Sequence, residues 1–547
     1  MIFPVPAKTE LNENKLEICA VSVQGDCVPV AERVFDSYNI DTNGAYKVTV
    51  KIENSEKTTY VKEKESFSDE KYFLEIGQSE CVVVASCEKG VFRAINTLSK
   101  MIANGELYEG SVEDYPLFSK RGYIEGFYGK TWSTEKRHSV MKLMAKYGMN
   151  TFYYAPKDDI YHRERWKDFY PEAEYKNLAD LYKEATDNYL SFCWCVGPGL
   201  SYKYTSAEDF NALINKIKSV YEIGVKNFGL LLDDIPGEFQ YDEDAAAYDS
   251  AVDAHVSLVN DTYKALKDFD SEINLTVCPT QYSGDEHGEY ISKFGKGISA
   301  DVSLFWTGAE ICSRILTVRE AKEFFDATSH KPLYWDNYPV NDCEMFQEMH
   351  LGAIIGRDKA LYKECEGLIS NVMEYAECSK IPLMTIADYL WNPLAYNPQE
   401  SLENAHKEVL GDKAALFSYF ADHLGVSCLS KYSSAYMSEK LSHINFLASK
   451  GDVKGALNEF KEYNSKMRSC FEMISDETVP LFAEMKKWVK KFGMCCDLLE
   501  QICKTRENPT DENMEYLAEL TEKYNSDAVI LTGFCLREAA EKTLNLY

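Results

Sequence analysis

Two adjacent aspartates, Asp233 and Asp234, end an apolar run in the stretch GLLLDDIPG. The leucines before them are typical of a buried strand, so the carboxylates are expected where the chain leaves the core. Neighbouring side chains of a regular strand point to opposite faces, but both can reach one cavity where the backbone turns after the strand. Two ionised carboxylates held close together repel each other, which raises the pKa of one of them. The protonated member can act as a general acid and the charged member can stabilise positive charge, as glycoside hydrolysis requires.

The same pair has a simpler interpretation. Asp-Asp pairs are common at surface turns, and the sequence DDIPG has the residues of a turn. Taken alone, the pair favours a solvated turn, whereas its position at the end of a predicted strand favours an active site. The elements around the pair therefore decide between the two interpretations.

Short apolar runs, seven clear and one weak, alternate with helical segments from about residue 119 onward. One connecting segment, STEKRHSVMKLMAKYG, has the pattern of a capped amphipathic helix. Eight strands that alternate with helices predict a (β/α)8 TIM barrel, an α/β fold whose active site lies at the carboxyl ends of the strands. The runs are 122–129, 150–156, 190–199, 227–234, 273–282, 301–308, 332–337 and 367–371.

The chain on either side of this barrel has other patterns. Before it, YKVTVKI (46–52), KYFLEI (71–76) and CVVVAS (81–86) have strand composition and 90–102 has helical spacing, which together predict a small α/β domain. An acidic turn that contains proline, EGSVEDYPLF, is the expected boundary. After the barrel the apolar residues keep helical spacing, which predicts a helical bundle. The predicted domains are 1–117, 118–395 and 396–547.

The residues that end the predicted strands are mostly acidic, aromatic or amide-bearing. They include no Ser-His-Asp set, no phosphate-binding glycine loop and no cluster of histidines. Carboxylates and amides can bind sugar hydroxyls, and aromatic rings offer flat apolar faces to a pyranose. The set therefore predicts a sugar pocket, and its members are Glu125, Tyr128, Lys157, Asp158, Asp159, Gly197, Gly199, Asp233, Asp234, Gln281, Tyr282, Trp306, Thr307, Asp336, Asn337, Asp342 and Asn371.

Some of these residues also have a structural interpretation. Lys157 can form an ion pair with Asp158 or Asp159. Glu125 is expected to be a buried structural carboxylate. His162 has no partner histidine at a useful spacing, so a structural role is expected for it rather than metal binding. Tryptophans at strand ends are more often part of the core than platforms for sugars.

The composition bounds the class of protein. The chain has 547 residues, 45% of them apolar and 27% charged, which is typical of a globular protein of two to four domains. A net charge of −29 disfavours nucleic acids and anionic membranes as partners. No apolar run is long enough for a membrane span and no signal-peptide pattern opens the sequence. The 17 cysteines form no CxxC spacing, which favours free thiols in a reducing compartment. We expect no metal or other cofactor, and a cytoplasmic protein, or a secreted one if a signal peptide has been removed.

Six motifs in this order carry a resemblance to glycoside hydrolase family 84. They are RGYIEGFYGKTW, NTFYYAPKDDIYHRERW, LLLDDI, CPTQY, LFWTG and YWDNYPVND. The family comprises β-N-acetylglucosaminidases, among them O-GlcNAcases and bacterial relatives once called hyaluronidases. The resemblance covers about 119–395 and extends more loosely to an N-terminal domain similar to the one that precedes hexosaminidase barrels, and to a C-terminal helical region.

The resemblance implies a retaining mechanism in which the 2-acetamido oxygen of the substrate attacks the anomeric carbon and forms an oxazoline, so that no carboxylate nucleophile is needed. By match to the DDI motif, Asp233 would orient and polarise the acetamido N–H. Asp234 would protonate the leaving oxygen and then activate water. The implied substrate-binding residues are Gly122 through its carbonyl, Lys157, Tyr282, Trp335, Asn337, Asp342 and Asn371, with Cys278 and Trp306 as further candidates for the pocket of the N-acetyl methyl group.

Two other functions are weighed against this exo-β-N-acetylglucosaminidase. A non-catalytic carbohydrate-binding barrel would be expected to lose Asp233 or Asp234, and both are present. A hexosaminidase or chitinase-like barrel of another family usually pairs Asp with Glu or carries a DxxDxDxE pattern, and neither occurs at the end of the fourth strand. The expected partner is a glycan or glycoprotein that contains N-acetylglucosamine. The sequence leaves open whether the aglycone is a glycoprotein, a mucin glycan or hyaluronan, and it leaves open the oligomeric state.

Overall fold

The computed structural model describes residues 2–53 and 68–546. Its N-terminal part is a mixed six-stranded sheet. Its strand order is β1-β6-β4-β5-β3-β2, and two helices belong to it. The predicted strands and the predicted helix are confirmed as β3, β4, β5 and α2. The elements are β1 (Lys8–Lys15), β2 (Ala20–Gly25), α1 (Val28–Asp36), β3 (Asp41–Ile52), β4 (Tyr72–Ile76), β5 (Glu80–Ala85), α2 (Glu88–Ala103) and β6 (Tyr108–Asp114).

The prediction of an acidic turn at 109–118 is wrong, because most of this segment is β6. β6 pairs antiparallel with β1 and with β4, so it is a central strand of the sheet. Its acidic end is tolerated because Asp114 is buried with partners: its carboxylate accepts hydrogen bonds from the Tyr72 hydroxyl at 2.7 Å and from the Trp391 indole at 3.0 Å. Buried carboxylates need such donors, and the sequence around Asp114 does not reveal them.

Eight parallel strands then close into a barrel, which confirms the predicted (β/α)8 fold. Their order around the barrel is β10-β11-β12-β13-β14-β7-β8-β9, and each predicted apolar run overlaps one of them. Ile124, Tyr153, Leu231, Phe305 and Ile369 are among the buried side chains that fill the interior, so the barrel is a solid core and not a pore. The strands are β7 (Lys120–Glu125), β8 (Thr151–Tyr154), β9 (Ser191–Val196), β10 (Asn227–Leu231), β11 (Asn274–Cys278), β12 (Ser303–Trp306), β13 (Pro332–Asp336) and β14 (Gly367–Asn371).

Helices surround the barrel: α3 to α9 lie between successive strands from β7 to β13, and α10 follows β14. The predicted capped helix is confirmed as α3, whose N-cap Ser133 accepts a hydrogen bond from the backbone of Lys136. Thr317 and Glu320 form a complete capping box at the start of α9. The helices are α3 (Thr134–Lys146), α4 (Glu172–Asp187), α5 (Ala207–Tyr221), α6 (Asp242–Ala247), α7 (Ala251–Phe269), α8 (Glu289–Gly297), α9 (Val318–Thr328) and α10 (Ala376–Trp391).

The C-terminal part is helical, as its apolar spacing predicts. α14 and α16 pack against each other, and α13, α17 and α18 pack beside them. Within the described residues, no helix is both long and apolar enough to cross a membrane. The helices are α11 (Pro398–Leu410), α12 (Ala414–Ala421), α13 (Ala435–Ser449), α14 (Val453–Ile474), α15 (Pro480–Glu484), α16 (Lys486–Glu507), α17 (Asp511–Ser526) and α18 (Cys535–Leu546).

A buried ionic cluster joins the N-terminal sheet to the barrel. Glu70 is 4% exposed and accepts hydrogen bonds from Arg93 on α2 at 2.8 Å and from Arg121 on β7 at 2.6 Å. Arg93 also donates to the carbonyl of Ala145 and Arg121 to that of Gly148, at 2.6 and 2.8 Å. Burial raises the pKa of Glu70, but the charges of Arg121 and Arg93 outweigh it and bring the pKa down to about 2.

We expect the Glu70→Gln substitution to destabilise the protein by about 3–5 kcal/mol at pH 7, because it leaves two guanidinium groups buried without a counter-charge. The pKa of Glu70 is lower in the folded chain, about 2, than the unfolded value of about 4.3. The contribution of ionised Glu70 to the stability of the protein is therefore complete above the unfolded pKa. It is lost as the pH falls through the folded pKa. The stability gap between the wild type and the variant should narrow over that range.

Urea unfolding at several pH values measures this gap. Glu75→Gln is the matched control, since Glu75 is an exposed residue of β4 and its substitution should change stability by less than about 0.5 kcal/mol. A Glu70→Gln variant as stable as the control at pH 7 would show that the cluster does not hold the two parts together.

Candidate active site

A pocket of about 650 Å³ opens at the carboxyl ends of the barrel strands. The family resemblance implies nine site residues, namely the two aspartates and seven substrate-binding residues. Eight of these nine line the pocket, although they come from strand ends and loops spread over more than two hundred positions. The exception is Gly122. The lining consists of Gly126, Tyr128, Lys157, Asp233, Asp234, Cys278, Tyr282, Thr307, Glu310, Ile311, Cys312, Trp335, Asn337, Val340, Asp342, Cys343, Glu344, Met345 and Asn371.

Asp233 is the buried member of the aspartate pair. Its carboxylate is 8% exposed and accepts a hydrogen bond of 2.5 Å from the Lys157 ammonium group, itself 6% exposed. Burial raises the pKa of Asp233, but the charge and hydrogen bond of Lys157 and the charge of Arg163 outweigh it, so the pKa is lowered. In the same way, the charge of Asp233 overcomes the effect of burial and raises the pKa of Lys157. Asp233 is therefore held as an anion, and Lys157 does not pair with Asp158 or Asp159.

Asp234 is the exposed member and has hydroxyl partners instead of a cation. The Tyr128 hydroxyl donates to one carboxylate oxygen at 2.7 Å and the Tyr282 hydroxyl donates to the other at 2.9 Å. β10 ends at Leu231, and Asp234 adopts a left-handed conformation with φ of 53°. This turn is what lets two neighbouring carboxylates face one cavity, since a regular strand would separate them.

Arg163 and Tyr128 complete the support of Asp234; Tyr128 is a member of the predicted sugar pocket, whereas Arg163 was not predicted to be a site residue. Arg163 donates to the Tyr128 hydroxyl at 2.8 Å and to the backbone carbonyl of Asp234 at 2.9 Å. Burial and the adjacent Asp234 charge raise the pKa of Tyr282, which keeps its hydroxyl protonated as a donor. Tyr128 was found because it stands at a predicted strand end, whereas Arg163 lies in the loop well beyond the end of β8 at Tyr154, where no spacing in the sequence marks it.

Amide and indole groups form a second cluster across the pocket. The side-chain oxygen Oδ1 of Asn337 accepts hydrogen bonds from the Trp335 indole at 3.0 Å and from the Asn371 amide at 2.9 Å. The amide group of Asn337 donates to the carbonyl of Ile311 at 2.8 Å. The buried Oδ1 of Asn371 has no hydrogen-bond partner among the described residues. An unsatisfied acceptor in a pocket is a place for a ligand donor, since leaving it empty costs free energy.

Asp342 is a third carboxylate of the pocket. It accepts a hydrogen bond of 2.7 Å from the backbone N–H of Tyr128. Burial raises the pKa of Asp342, while that hydrogen bond and the charge of Lys157 act in the opposite direction. One oxygen of this carboxylate is thus engaged with backbone, and the other can accept from a hydroxyl.

The prediction for Gly122 needs correction. Gly122 lies within β7, paired with Ile369 and Thr151 on the neighbouring strands, and a Cβ there would lie 2.3 Å from the Thr151 carbonyl oxygen. β7 ends at Glu125, so the second glycine of the motif, Gly126, follows the strand and lines the pocket. A side chain on Gly126 would meet the Trp335 ring at 2.7 Å. Gly122 serves close strand packing, and Gly126 leaves the pocket open.

Other sequence-based interpretations are settled by local contacts. Glu125 is fully buried and pairs with Arg137 at 2.7 Å, as expected for a structural carboxylate. His162 is buried with its Nδ1 2.8 Å from the Cys195 carbonyl oxygen, so it is structural as well. Trp306 packs against Phe324 on the outer side of the barrel and does not reach the pocket, whereas Cys278 lines it. Within the described residues, no group of three or more His, Cys, Asp or Glu side chains is arranged to hold a metal ion.

Comparisons with known proteins identify the family of the chain. A profile of the family described as β-N-acetylglucosaminidase matches residues 121–422, more than half of the chain. The protein O-GlcNAcases of Rattus norvegicus and Mus musculus are each 28% identical to it over 274 residues, which is 49% of this chain and 29% of theirs. The chain thus matches less than a third of the length of these curated relatives.

Solved structures are similar over more of the chain. A mutant of the Thermobaculum terrenum O-GlcNAc hydrolase is 30% identical with a TM-score of 0.74, covering 78% of this chain and 95% of that one. The structure of CpGH84B is 25% identical with a TM-score of 0.86, covering 99% of this chain and 100% of that one. The chain belongs to the β-N-acetylglucosaminidases of glycoside hydrolase family 84.

Proposed function

We propose that this protein is a retaining exo-β-N-acetylglucosaminidase that removes terminal N-acetylglucosamine from glycoproteins or glycans. In this mechanism the 2-acetamido group of the substrate is the nucleophile and an oxazoline is the intermediate. The observation that supports it best is the unlike environment of the two adjacent carboxylates. One is buried against a lysine and the other is exposed beside two tyrosine hydroxyls.

Asp233 is suited to the acetamido group. An anion held by Lys157 can accept the acetamido N–H, which orients the carbonyl oxygen toward the anomeric carbon and increases its nucleophilicity. A buried charge does this well, because electrostatic interactions are stronger where water is excluded. The same anion stabilises the positive charge that develops on the acetamido nitrogen as the ring closes.

Asp234 is suited to the leaving group. It is exposed at the mouth of the pocket, where a glycosidic oxygen would lie, and it would enter the first step protonated. It gives its proton to that oxygen as the bond to the anomeric carbon breaks. In the second step its carboxylate removes a proton from the water that opens the oxazoline. The hydroxyls of Tyr128 and Tyr282 stabilise the carboxylate form between the two steps.

The other lining residues are assigned to binding. The Tyr282 hydroxyl, which has a single proton, can turn from Asp234 to donate to the acetamido oxygen, while Trp335 and Cys278 would enclose the acetyl methyl group. Asn337, Asp342 and Asn371 would bind the sugar hydroxyls, with the free Oδ1 of Asn371 as one acceptor. The filled barrel interior closes the pocket from below.

The proposed function is assigned to one domain. We assign catalysis to residues 118–395, since the predicted catalytic and binding side chains all lie there, with 1–117 and 396–547 as accompanying domains. The buried cluster around Glu70 ties the first of these to the barrel.

The proposal is tested by the stereochemistry of the first product. Hydrolysis of an aryl β-N-acetylglucosaminide, followed by proton NMR before mutarotation, should give the β-anomer first. A thiazoline analogue of the cyclised intermediate should inhibit competitively, because Asp233 can accept a hydrogen bond from its protonated nitrogen. An α-anomer as the first product would exclude the oxazoline route. No turnover at all, with sugar binding retained, would instead favour the carbohydrate-binding barrel.

A further inference from the structure

A single arginine contacts both the main chain and, through a tyrosine, the side chain of Asp234. One terminal nitrogen of the Arg163 guanidinium donates to the backbone carbonyl of Asp234 at 2.9 Å, and the other donates to the Tyr128 hydroxyl at 2.8 Å. That hydroxyl donates in turn to Oδ2 of Asp234 at 2.7 Å. Arg163 is half-buried and belongs to the long loop between β8 and α4. The fork of one guanidinium group thus reaches two parts of the same aspartate.

The chemistry of these groups fixes the direction of each hydrogen bond. A guanidinium group has donors and no acceptor, and a tyrosine hydroxyl has one proton. Because the Tyr128 oxygen accepts from Arg163, its proton is left for Asp234. Tyr282 donates to the other carboxylate oxygen, Oδ1, at 2.9 Å, and among the described residues no cation donates to its hydroxyl. Oδ2 therefore has a fixed donor, whereas the donor on Oδ1 is free to turn away.

The main-chain contact holds a left-handed backbone conformation. Asp234 has a φ of 53°, which residues other than glycine adopt infrequently. The same conformation turns its carboxylate into the pocket beside Asp233. The bond from Arg163 to the carbonyl of Asp234 restrains this turn. Without that bond the turn could relax, and the carboxylate would no longer be held where the glycosidic oxygen arrives.

The loop that carries Arg163 is itself anchored. The preceding residue, His162, is buried, and its carbonyl accepts a hydrogen bond of 2.9 Å from the backbone N–H of Gly197, just after β9. Trp166 is fully buried, and its indole donates to the Ser201 hydroxyl at 3.0 Å. The stem of Arg163 lies over Gly197, where a Cβ would be 3.8 Å from its Cγ. A group that positions another must be held in place itself, and these contacts do so.

We propose that Arg163 is a positioning residue for Asp234, which holds Oδ2 through the Tyr128 hydroxyl and leaves Oδ1 as the oxygen that transfers the proton; this rests on the proposed function. In the first step the proton on Oδ1 passes to the glycosidic oxygen, which keeps the electron pair of its broken bond to the anomeric carbon. Tyr282 has by then turned to the acetamido oxygen, so Oδ1 is free. In the second step Oδ1 takes a proton from the water that opens the oxazoline.

The test is the leaving-group dependence of Arg163→Lys. Lysine keeps a positive charge, which matters because the charge of Arg163 helps to lower the pKa of Asp233, but it lacks the planar fork that reaches two acceptors. We expect a loss of roughly tenfold or more in kcat/KM on an alkyl β-N-acetylglucosaminide, since a misplaced acid transfers its proton poorly. On a dinitrophenyl β-N-acetylglucosaminide, whose phenol leaves without a proton, the loss should stay below about threefold.

Two further variants define the route of the effect. Arg165→Lys is the matched control: Arg165 lies in the same loop, is exposed and pairs with Asp168 at 2.7 Å, so its substitution should leave both substrates unchanged. Tyr128→Phe keeps the ring and removes the hydroxyl, and it should reproduce the leaving-group pattern of Arg163→Lys. Because the two groups act in one chain of hydrogen bonds, the double variant should lose less than the product of the two single losses.

Each outcome decides the proposal. Equal losses on both substrates with a lower melting temperature would make Arg163 a structural residue, and no loss on the alkyl substrate would also overturn its role; aryl hydrolysis by the wild type leaves the proposed function intact in both cases. A double variant whose loss equals the product of the single losses would overturn the route through Tyr128. If Arg163→Lys does not fold, the leaving-group pattern of Tyr128→Phe decides instead. A wild type that hydrolyses neither substrate would refute the proposed function, and this role of Arg163 with it.

Discussion

The Asp234→Ala variant should hydrolyse alkyl and sugar N-acetylglucosaminides about 10²–10⁴-fold more slowly than the wild type, because it lacks the proton donor for the leaving oxygen. A nitrated phenol leaves without a proton, so the first step on that substrate should slow far less. The intermediate should then accumulate, since the variant also lacks the base for its hydrolysis. Steady-state and burst kinetics over a series of leaving groups measure both effects.

Added azide separates this role from that of the neighbouring aspartate. Azide needs no base, so it should react with the accumulated intermediate of Asp234→Ala and give a β-glycosyl azide. Asp233→Ala should behave differently: it impairs the attack of the acetamido oxygen, slows good and poor leaving groups alike, and gains nothing from azide. Asp158→Ala is the control, because Asp158 is exposed and follows a barrel strand but does not line the pocket. The same leaving-group dependence and azide response in both pocket variants would mean that the roles within DDI are assigned wrongly.

The barrel could be predicted from the sequence because its strands are buried on both faces and therefore read as continuous apolar runs. The polar β1, KTELNENK, is largely exposed and has no such run, so it could not be found. β6 was hidden by its acidic end, because the partners of Asp114 lie far away in sequence, at Tyr72 and Trp391. The sequence shows the local pattern of apolar residues directly. It does not show which distant residues form hydrogen bonds with a buried polar group.

The site could be predicted to the extent that it consists of residues at strand ends. The motif GYIEGFYG holds three glycines, and the end of β7 at Glu125 decides that Gly126 and not Gly122 reaches the pocket. Arg163 reaches Asp234 through the folding of a long loop, which no spacing in the sequence reveals. The sequence does not reveal the left-handed conformation of Asp234 either, yet this conformation brings both carboxylates to one cavity.

Lys157→Met should shift the acid limb of the pH profile of kcat/KM to higher pH. Burial raises the pKa of Asp233, and the charge and hydrogen bond of Lys157 are the main influences that keep it low. Without the lysine the carboxylate should take up a proton at higher pH and lose its ability to accept the acetamido N–H. We expect a loss on the order of 10²–10³-fold in kcat/KM at neutral pH, comparable to the removal of one preorganised electrostatic group.

The free energy of unfolding should change with pH in a way that identifies the ion pair of Asp233 and Lys157. In the wild type the pKa of Asp233 is lower in the folded chain than in the unfolded chain, so its contribution to stability is present above the unfolded pKa of about 3.9 and is lost as the pH falls. In Lys157→Met the unpaired buried carboxylate should cost about 3–5 kcal/mol at neutral pH, and acidification should reduce that cost. Lys130→Met, at an exposed lysine that does not line the pocket, should leave the stability and the pH profile unchanged.

A double variant separates the charge pair from the fold. Adding Asp233→Asn to Lys157→Met removes the unpaired charge, so the melting temperature at neutral pH should recover most of the loss. Activity should not recover, because the amide cannot replace the anion that accepts the acetamido N–H. If the double variant is as unstable as Lys157→Met, the cost is lost packing of the lysine side chain and not the buried charge. If the acid limb of Lys157→Met stays where it is in the wild type, Asp233 is not the group whose ionisation controls the attack of the acetamido oxygen.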